Sequence, residues 1–267
     1  MSKEAVDAVR VGIEDALNVF ESLSVEEWGR PSGCTGWRVQ DVAAHMGSNF
    51  KETADPSPPP PEPLPPMPAE RLMDLLVEPR RDWTPEQVLT ELRTYAPRLV
   101  ATLDAMQEPP LATSPLTVAD LGTYEMQRLA DAYAFDLYCH LRVDVLAPHG
   151  PIERDIPPAD DLRIRPAVGW MLAGLPQMQG DAFAFVDRSI GLRLDGPGGG
   201  EWLISPAEGD RIAVEASTAA NDVAAVIRSS ADAFVMWGTK RSDWRESTEL
   251  DGDLNLASRF LDTLNIV

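Results

Sequence analysis

From Val6 to Val145 apolar residues return at helical spacing, and that rhythm commits the first half of the chain to helices packed on one another. Val6, Val9, Ile13, Ala16, Leu17 and Phe20 mark an amphipathic helix within Lys3 to Leu23. Ser24-Val25-Glu26-Glu27 reads as a capping box, and Trp28 to Gly36 carries the Pro and Gly punctuation of a loop. A second helix over Val39 to Glu52 shows the stripe Val39, Val42, Ala43, Met46 and Phe50, with His45 on its flank. Thr84-Pro85-Glu86-Gln87 opens a third, with Thr as cap and Pro in the first turn, continued by Val88, Leu92, Tyr95, Leu99, Leu103 and Met106. The fourth is expected from Val118 to Leu146, on Met126, Ala130, Tyr133, Leu137, Leu141 and Val145. Four such helices suggest a bundle. The prolines between Pro56 and Pro68 forbid helix and ladder pairing, which predicts an extended spacer.

After Pro148 the texture changes. Ile156-Pro157-Pro158 breaks the chain, Asp160 to Met178 reads as helix, and short β-like runs follow at Ile190 to Leu194, Trp202 to Ile204 and Ile212 to Glu215. Gly196 to Gly200 is a loose hairpin loop, Ser230 to Trp237 a helix stopped by Gly238, and Asp253 the cap of a last helix to Leu264. Asp222 to Arg228 fits strand or helix. At 267 residues the chain exceeds what one core usually organises, so the expected class is α+β in two domains, residues 1–150 and 151–267. No G-x-G-x-x-G or P-loop pattern occurs, which removes the usual grounds for nucleotide binding.

The formal charge of −20, from 43 acidic against 23 basic residues, repels phosphate backbones and anionic lipid, so nucleic acid and membrane are poor partners. Only two cysteines occur, Cys34 and Cys139, and nothing like a signal peptide precedes Lys3, so a soluble protein of the reducing cytoplasm is expected.

The chain has three histidines, and two of them stand on helices expected to share a cleft. Asp136 and His140 are i and i+4, so both project from one flank of the fourth helix. With His45 they would form a set of two imidazoles and a carboxylate, which suits Zn²⁺, Ni²⁺ or Fe²⁺ and leaves a coordination position open. On spacing alone, an Asp-x-x-x-His pair on a helix is more often a surface or outer-sphere pair than a pair of metal ligands. Asp144, one turn further on, lies nearer the apolar face, where it either orients an imidazole or bonds another helix. His149, beside Pro148, reads as an exposed loop residue, and Cys34 and Cys139 as packing thiols.

The stretch Val25-Glu26-Glu27-Trp28-Gly29-Arg30-Pro31-Ser32-Gly33-Cys34-Thr35-Gly36-Trp37-Arg38-Val39-Gln40-Asp41-Val42-Ala43-Ala44-His45 resembles the N-terminal signature of mycothiol-dependent maleylpyruvate isomerases, members of the DinB-like four-helix bundles. The resemblance implies zinc at His45, Asp136 and His140, with mycothiol as the thiol partner and a small unsaturated acid as substrate. Trp202, Trp237-Gly238 and Leu250-Asp251-Gly252-Asp253 extend the likeness to a small sterol-carrier-like α+β domain over Gly191 to Val267.

Two departures stand out. The family carboxylate is usually Glu where this chain has Asp136, and the family Arg after Trp-Gly is here Thr239, followed by Lys240 and Arg241. The implied chemistry is a metal-activated thiolate adding to an activated double bond, or thiol transfer, with Arg228, Lys240 and Arg241 as candidate contacts to a substrate carboxylate. A non-catalytic small-molecule binder on the same bundle and a thiol-independent metal hydrolase are the competing readings.

Overall fold

The computed structural model describes residues 2–58, 65, 67–209, 211–217 and 223–266, apart from the side chain of Ser2. Helix and sheet are both present, and the chain divides into two compact units, residues 1–120 with 124–158, and residues 121–123 with 159–267.

The first unit is built on helices α1 (Ser2–Glu21), α2 (Val25–Trp28), α3 (Val39–Ala54), α4 (Ala69–Val77), α5 (Pro85–Ala105) and α6 (Leu129–Cys139), the last continued by a π turn, His140–Val145. Their starts are chemically marked. Ser24 and Thr84 each cap a helix and receive the reciprocal bond of a capping box from Glu27 and Gln87. α3 packs on α5, and α1 on both α5 and α6. The stripes meet in a core that includes Val9, Phe20, Val42, Met46, Phe50, Leu92, Leu99, Leu103 and Leu137. Each such side chain contributes roughly 1.5–3 kcal/mol when taken from water. α3 is the central element, buried at every position from Val39 to Ser48, and this places His45 in the interior with 2% of its surface exposed.

Three features differ from the sequence reading. The fourth helix does not begin at Val118: β1 (Pro115–Val118) and β2 (Gly122–Glu125) form a hairpin first, and α6 starts at Leu129. Thr117, Val118, Thr123 and Tyr124 favour extended backbone, and Gly122 takes φ 123°, which breaks the helical run. The C-terminal end of that helix is a π turn rather than regular α-helix. α4 was not expected at all, because its nine residues follow the prolines and offer only a short amphipathic stretch. Of the proline-rich spacer, residues 59–64 and 66 lie outside the described residues; 56–58, 67 and 68 are neither helix nor strand.

The second unit contains α7 (Asp161–Met178) and a five-stranded sheet of order β5-β4-β3-β6-β7. Its strands are β3 (Ile190–Asp195), β4 (Gly200–Ala207), β5 (Arg211–Ala216), β6 (Ala225–Ser230) and β7 (Glu249–Gly252). All neighbours are antiparallel except β3 and β6, which run parallel with Ile190 opposite Ala225. Alternation sets the faces: Ile190, Leu192 and Leu194 point inward from β3, as Ala225, Ile227 and Ser229 do from β6. α8 (Ala231–Gly238) packs on β3 and β6, and α9 (Leu254–Thr263), capped by Asp253 as expected, packs on β6 and β7. The ambiguous run from Asp222 resolves as strand from Ala225 onward, while Asp222 itself lies outside the described residues.

Candidate metal centre

The loop before α3 is folded tightly by its own polar groups. Ser32 Oγ accepts the Cys34 N–H at 3.1 Å and donates to the Trp37 carbonyl at 2.9 Å, while the Trp37 N–H donates to the Cys34 carbonyl at 3.1 Å. Gly36 holds φ 80°, a left-handed conformation that favours glycine. The Gly33 N–H donates to the Asp144 carbonyl at 2.7 Å, and a Cβ on Gly33 would lie 2.9 Å from Asp144 Cα, so any larger residue would force loop and π turn apart. Cys34 and Trp37 are thereby delivered beside His140. Asp41, buried in the first turn of α3, accepts the Arg38 N–H at 2.9 Å and the Arg38 guanidinium at 3.0 and 2.9 Å, which fixes where the helix begins.

Three side chains converge where α3 meets α6 and its π turn. His45 Nε2 lies 3.0 Å from Asp136 Oδ1, and His140 Nε2 lies 3.5 Å from the same oxygen. The two imidazoles meet edge to face with centroids 4.8 Å apart, and one donor atom from each of the three residues falls within 4.8 Å of the other two. His45 is buried, whereas Asp136 and His140 are half-buried, so the cluster has a closed floor and an open side. Tyr133 ties the two helices together next to it, donating to the Asn49 carbonyl at 2.9 Å and pairing with Thr53 Oγ1 at 2.6 Å.

The donor set fits a divalent cation on two grounds. Two imidazole nitrogens and a carboxylate oxygen are a borderline-to-hard combination that suits Zn²⁺, Ni²⁺ or Fe²⁺. Asp136 Oδ2 and His45 Nδ1 are buried polar atoms without a hydrogen-bond partner among the described residues, and an unpaired carboxylate oxygen is costly to bury unless a positive charge faces it. Asp144 completes the arrangement from behind. His140 Nδ1–H donates to Asp144 Oδ2 at 2.8 Å, which keeps the proton on Nδ1 and turns the Nε2 lone pair toward Asp136 and His45. Asp144→Asn is expected to weaken divalent-ion affinity by roughly 10- to 100-fold while leaving the three inner groups in place, a change that competition against a chelating dye measures directly.

Electrostatics make ion uptake proton-coupled. Burial alone would raise the Asp136 carboxyl, but the charges of His45 and His140 outweigh it and hold it below the usual carboxylate range. Burial alone would likewise favour a neutral His140, but the Asp136 charge, the bond to Asp144 and Cys34 outweigh it and raise the imidazole well above its ordinary value. That shift favours the charged ring in the cation-free site, and its Nε2 proton must leave before the nitrogen can ligate. Ion binding at pH 7 is expected to release protons, and affinity to fall as pH drops, starting above the pH near 6.5 where an ordinary histidine protonates. Calorimetry in buffers of different ionisation enthalpy would show it; an enthalpy independent of buffer would contradict it.

Other features of the cluster were not anticipated. The Trp37 indole lies over both imidazoles, with centroid distances of 5.2 Å to His45 and 6.3 Å to His140, and its Nε1–H donates to Asp74 Oδ1 of α4 at 3.0 Å. Asn49, one turn after His45, brings its amide nitrogen to 3.4 Å from His45 Nε2. Cys34, expected as a packing thiol, puts Sγ 3.5 Å from His140 Nδ1. The i+4 spacing of His45 and Asn49 was a usable signal for the second of these; Asp74 left none, because its helix was not foreseen. His149 is exposed and Cys139 buried, as expected.

The cationic candidates belong to the second unit. Arg228 is half-buried on β6, in register with Arg193 of β3 and Glu249 of β7. Lys240 and Arg241 follow α8 and line a cavity of about 420 Å³ with Trp237, Trp244 and Arg245. Lys240, at φ 59°, donates through Nζ to the carbonyls of Leu261 and Asp262, both at 3.1 Å.

Comparison with known proteins supplies the context. Residues 9–142 match the family described as the mycothiol maleylpyruvate isomerase N-terminal domain. Two crystal structures share the fold over 94% of this chain and 93% of theirs, each with TM-score 0.57: the mycothiol-dependent maleylpyruvate isomerase, at 14% identity, and a histidine-to-alanine mutant of it, at 13%. No curated protein matches the chain.

Proposed function

The chain belongs to the mycothiol maleylpyruvate isomerase N-terminal domain family, and from that premise we propose that it is a mycothiol-dependent isomerase of a small unsaturated acid such as maleylpyruvate, with a divalent cation, zinc first, held by His45, Asp136 and His140. The observation that carries this reading is the meeting of His45 Nε2, Asp136 Oδ1 and His140 Nε2 around an unpartnered carboxylate oxygen. The packed helices of the first unit are read as the family's DinB-like metal-binding bundle, and the second unit as its sterol-carrier-like companion.

A cation in this position supplies Lewis acidity, which favours the thiolate form of a small thiol and hence addition to, and departure from, an activated double bond. The residues of the chain prepare for that chemistry. Asp144 holds His140 in the tautomer whose Nε2 faces inward. Trp37, pinned by Asp74, packs against both imidazoles, tilted to His45 and stacked on His140. The Asn49 amide stands beside His45 as a donor for a substrate carbonyl or carboxylate on the open side. Arg228, Lys240 and Arg241 are proposed as carboxylate-binding cations of the second unit, taken by itself.

The test is turnover of maleylpyruvate by zinc-loaded protein with and without mycothiol. Isomerisation that requires both thiol and metal supports the proposal. Metal retention without any thiol-dependent turnover would replace it with the binding-protein reading that the shorter Asp136 carboxylate favours, and metal-dependent hydrolysis of the substrate without thiol would replace it with a hydrolase.

A further inference from the structure

We propose that His140 serves a second, softer cation position on the opposite edge of its ring, made by Cys34 Sγ, His140 Nδ1 and the Asp144 carboxylate. The three donor atoms lie within 4.8 Å of one another, with Sγ 3.5 Å and Asp144 Oδ2 2.8 Å from Nδ1. Thiolate and imidazole ligands of one tetrahedral zinc-like ion stand roughly 3.5 Å apart, so sulfur and nitrogen are already placed, and the carboxylate must give about half an ångström. The site is built rather than accidental. Gly33 bonds the Asp144 carbonyl through its N–H and leaves no room for a side chain, which locks the Cys34 loop onto the π turn. Asp144 is buried, while Cys34 and His140 are half-buried, so an ion can enter from one side.

Donor chemistry selects the ligand. A thiolate beside an imidazole and a single carboxylate favours thiophilic d¹⁰ ions such as Cd²⁺, Cu⁺ or excess Zn²⁺ over Mg²⁺ and Ca²⁺. Binding releases the thiol proton and, from the charged ring, the proton that Nδ1 shares with Asp144. A neutral imidazole offers one lone pair, so ligation through Nδ1 leaves the ring proton on Nε2, pointing at Asp136 Oδ1. The two positions therefore compete for His140, and a thiophilic ion on the outer edge dismantles the inner one.

This inference stands on the three side chains and not on the thiol chemistry proposed above. The test is titration of the full-length, metal-stripped chain with Cd²⁺, followed by the ultraviolet sulfur-to-cadmium charge-transfer band. Wild type and Cys139→Ser are expected to develop the band, and Cys34→Ser to lack it. His45→Ala, which breaks only the inner position, keeps the band. His140→Ala and Asp144→Asn bind Cd²⁺ at least about tenfold more weakly, with helicity by circular dichroism unchanged. A band that survives Cys34→Ser, or an affinity untouched by both His140→Ala and Asp144→Asn, overturns the second position. If the band behaves as expected but wild type retains no zinc through His45, the outer position stands and the functional reading falls.

Discussion

Alanine at His45 is expected to strip the divalent ion from the purified chain and to cut thiol-dependent turnover by roughly 10³-fold, since a Lewis acid contributes several kcal/mol and each 1.4 kcal/mol is a factor of ten. His45 is the candidate ligand to choose because its side chain is the most enclosed of the three. Beside it Asn49 presents its amide nitrogen, which carries no lone pair for a cation; only the opposite amide orientation would bring its oxygen there. Plasma emission analysis and steady-state kinetics on the same preparation decide the matter. Retained metal with retained turnover would remove His45 from the site, while lost metal with retained turnover would remove the metal from the chemistry.

The largest effect on stability is expected at Arg80. Its guanidinium donates to both Glu91 oxygens, at 2.6 and 2.7 Å, and to the Leu76 carbonyl at 2.6 Å, with side chains of the pair only 10% and 9% exposed. Replacing it with Met would strand a buried carboxylate at a cost of about 3–5 kcal/mol, whereas removing both charges as Arg80→Met with Glu91→Leu should recover most of the loss. Denaturant melts of the three proteins give the comparison. A single variant as stable as wild type would show that Glu91 finds solvent. The pair joins the end of α4 to α5, and α4 carries the Asp74 that holds Trp37 over the histidines, so a loosened Arg80 should also raise the accessibility of Trp37 to a fluorescence quencher.

Much of the candidate site was legible in the sequence because helices turn spacing into direction. Asp136 and His140 are one turn apart and had to share a flank, and His45 had to stand at the edge of an apolar stripe. Asp144 followed by the same arithmetic, and the i+4 contact survives although the turn there is π rather than α. The capping sequences at Ser24, Thr84 and Asp253 located helix starts for the same local reason, since a cap is satisfied by backbone groups within one turn of it.

What the sequence determined by itself was therefore local: the helical stripes, their caps, the strands β3, β4 and β5, and the three groups able to hold an ion, while β7 forms where Leu250 to Asp253 reads as a turn. Tertiary structure alone decided the rest. It started α6 after a hairpin, placed Asp74 against Trp37, and set Cys34 against His140 through a glycine contact between residues more than a hundred positions apart. The physical reason is range. Spacing along one element fixes which way side chains point, but whether two elements approach closely enough to share a proton or an ion depends on core volume and loop closure, which no single stretch of chain encodes.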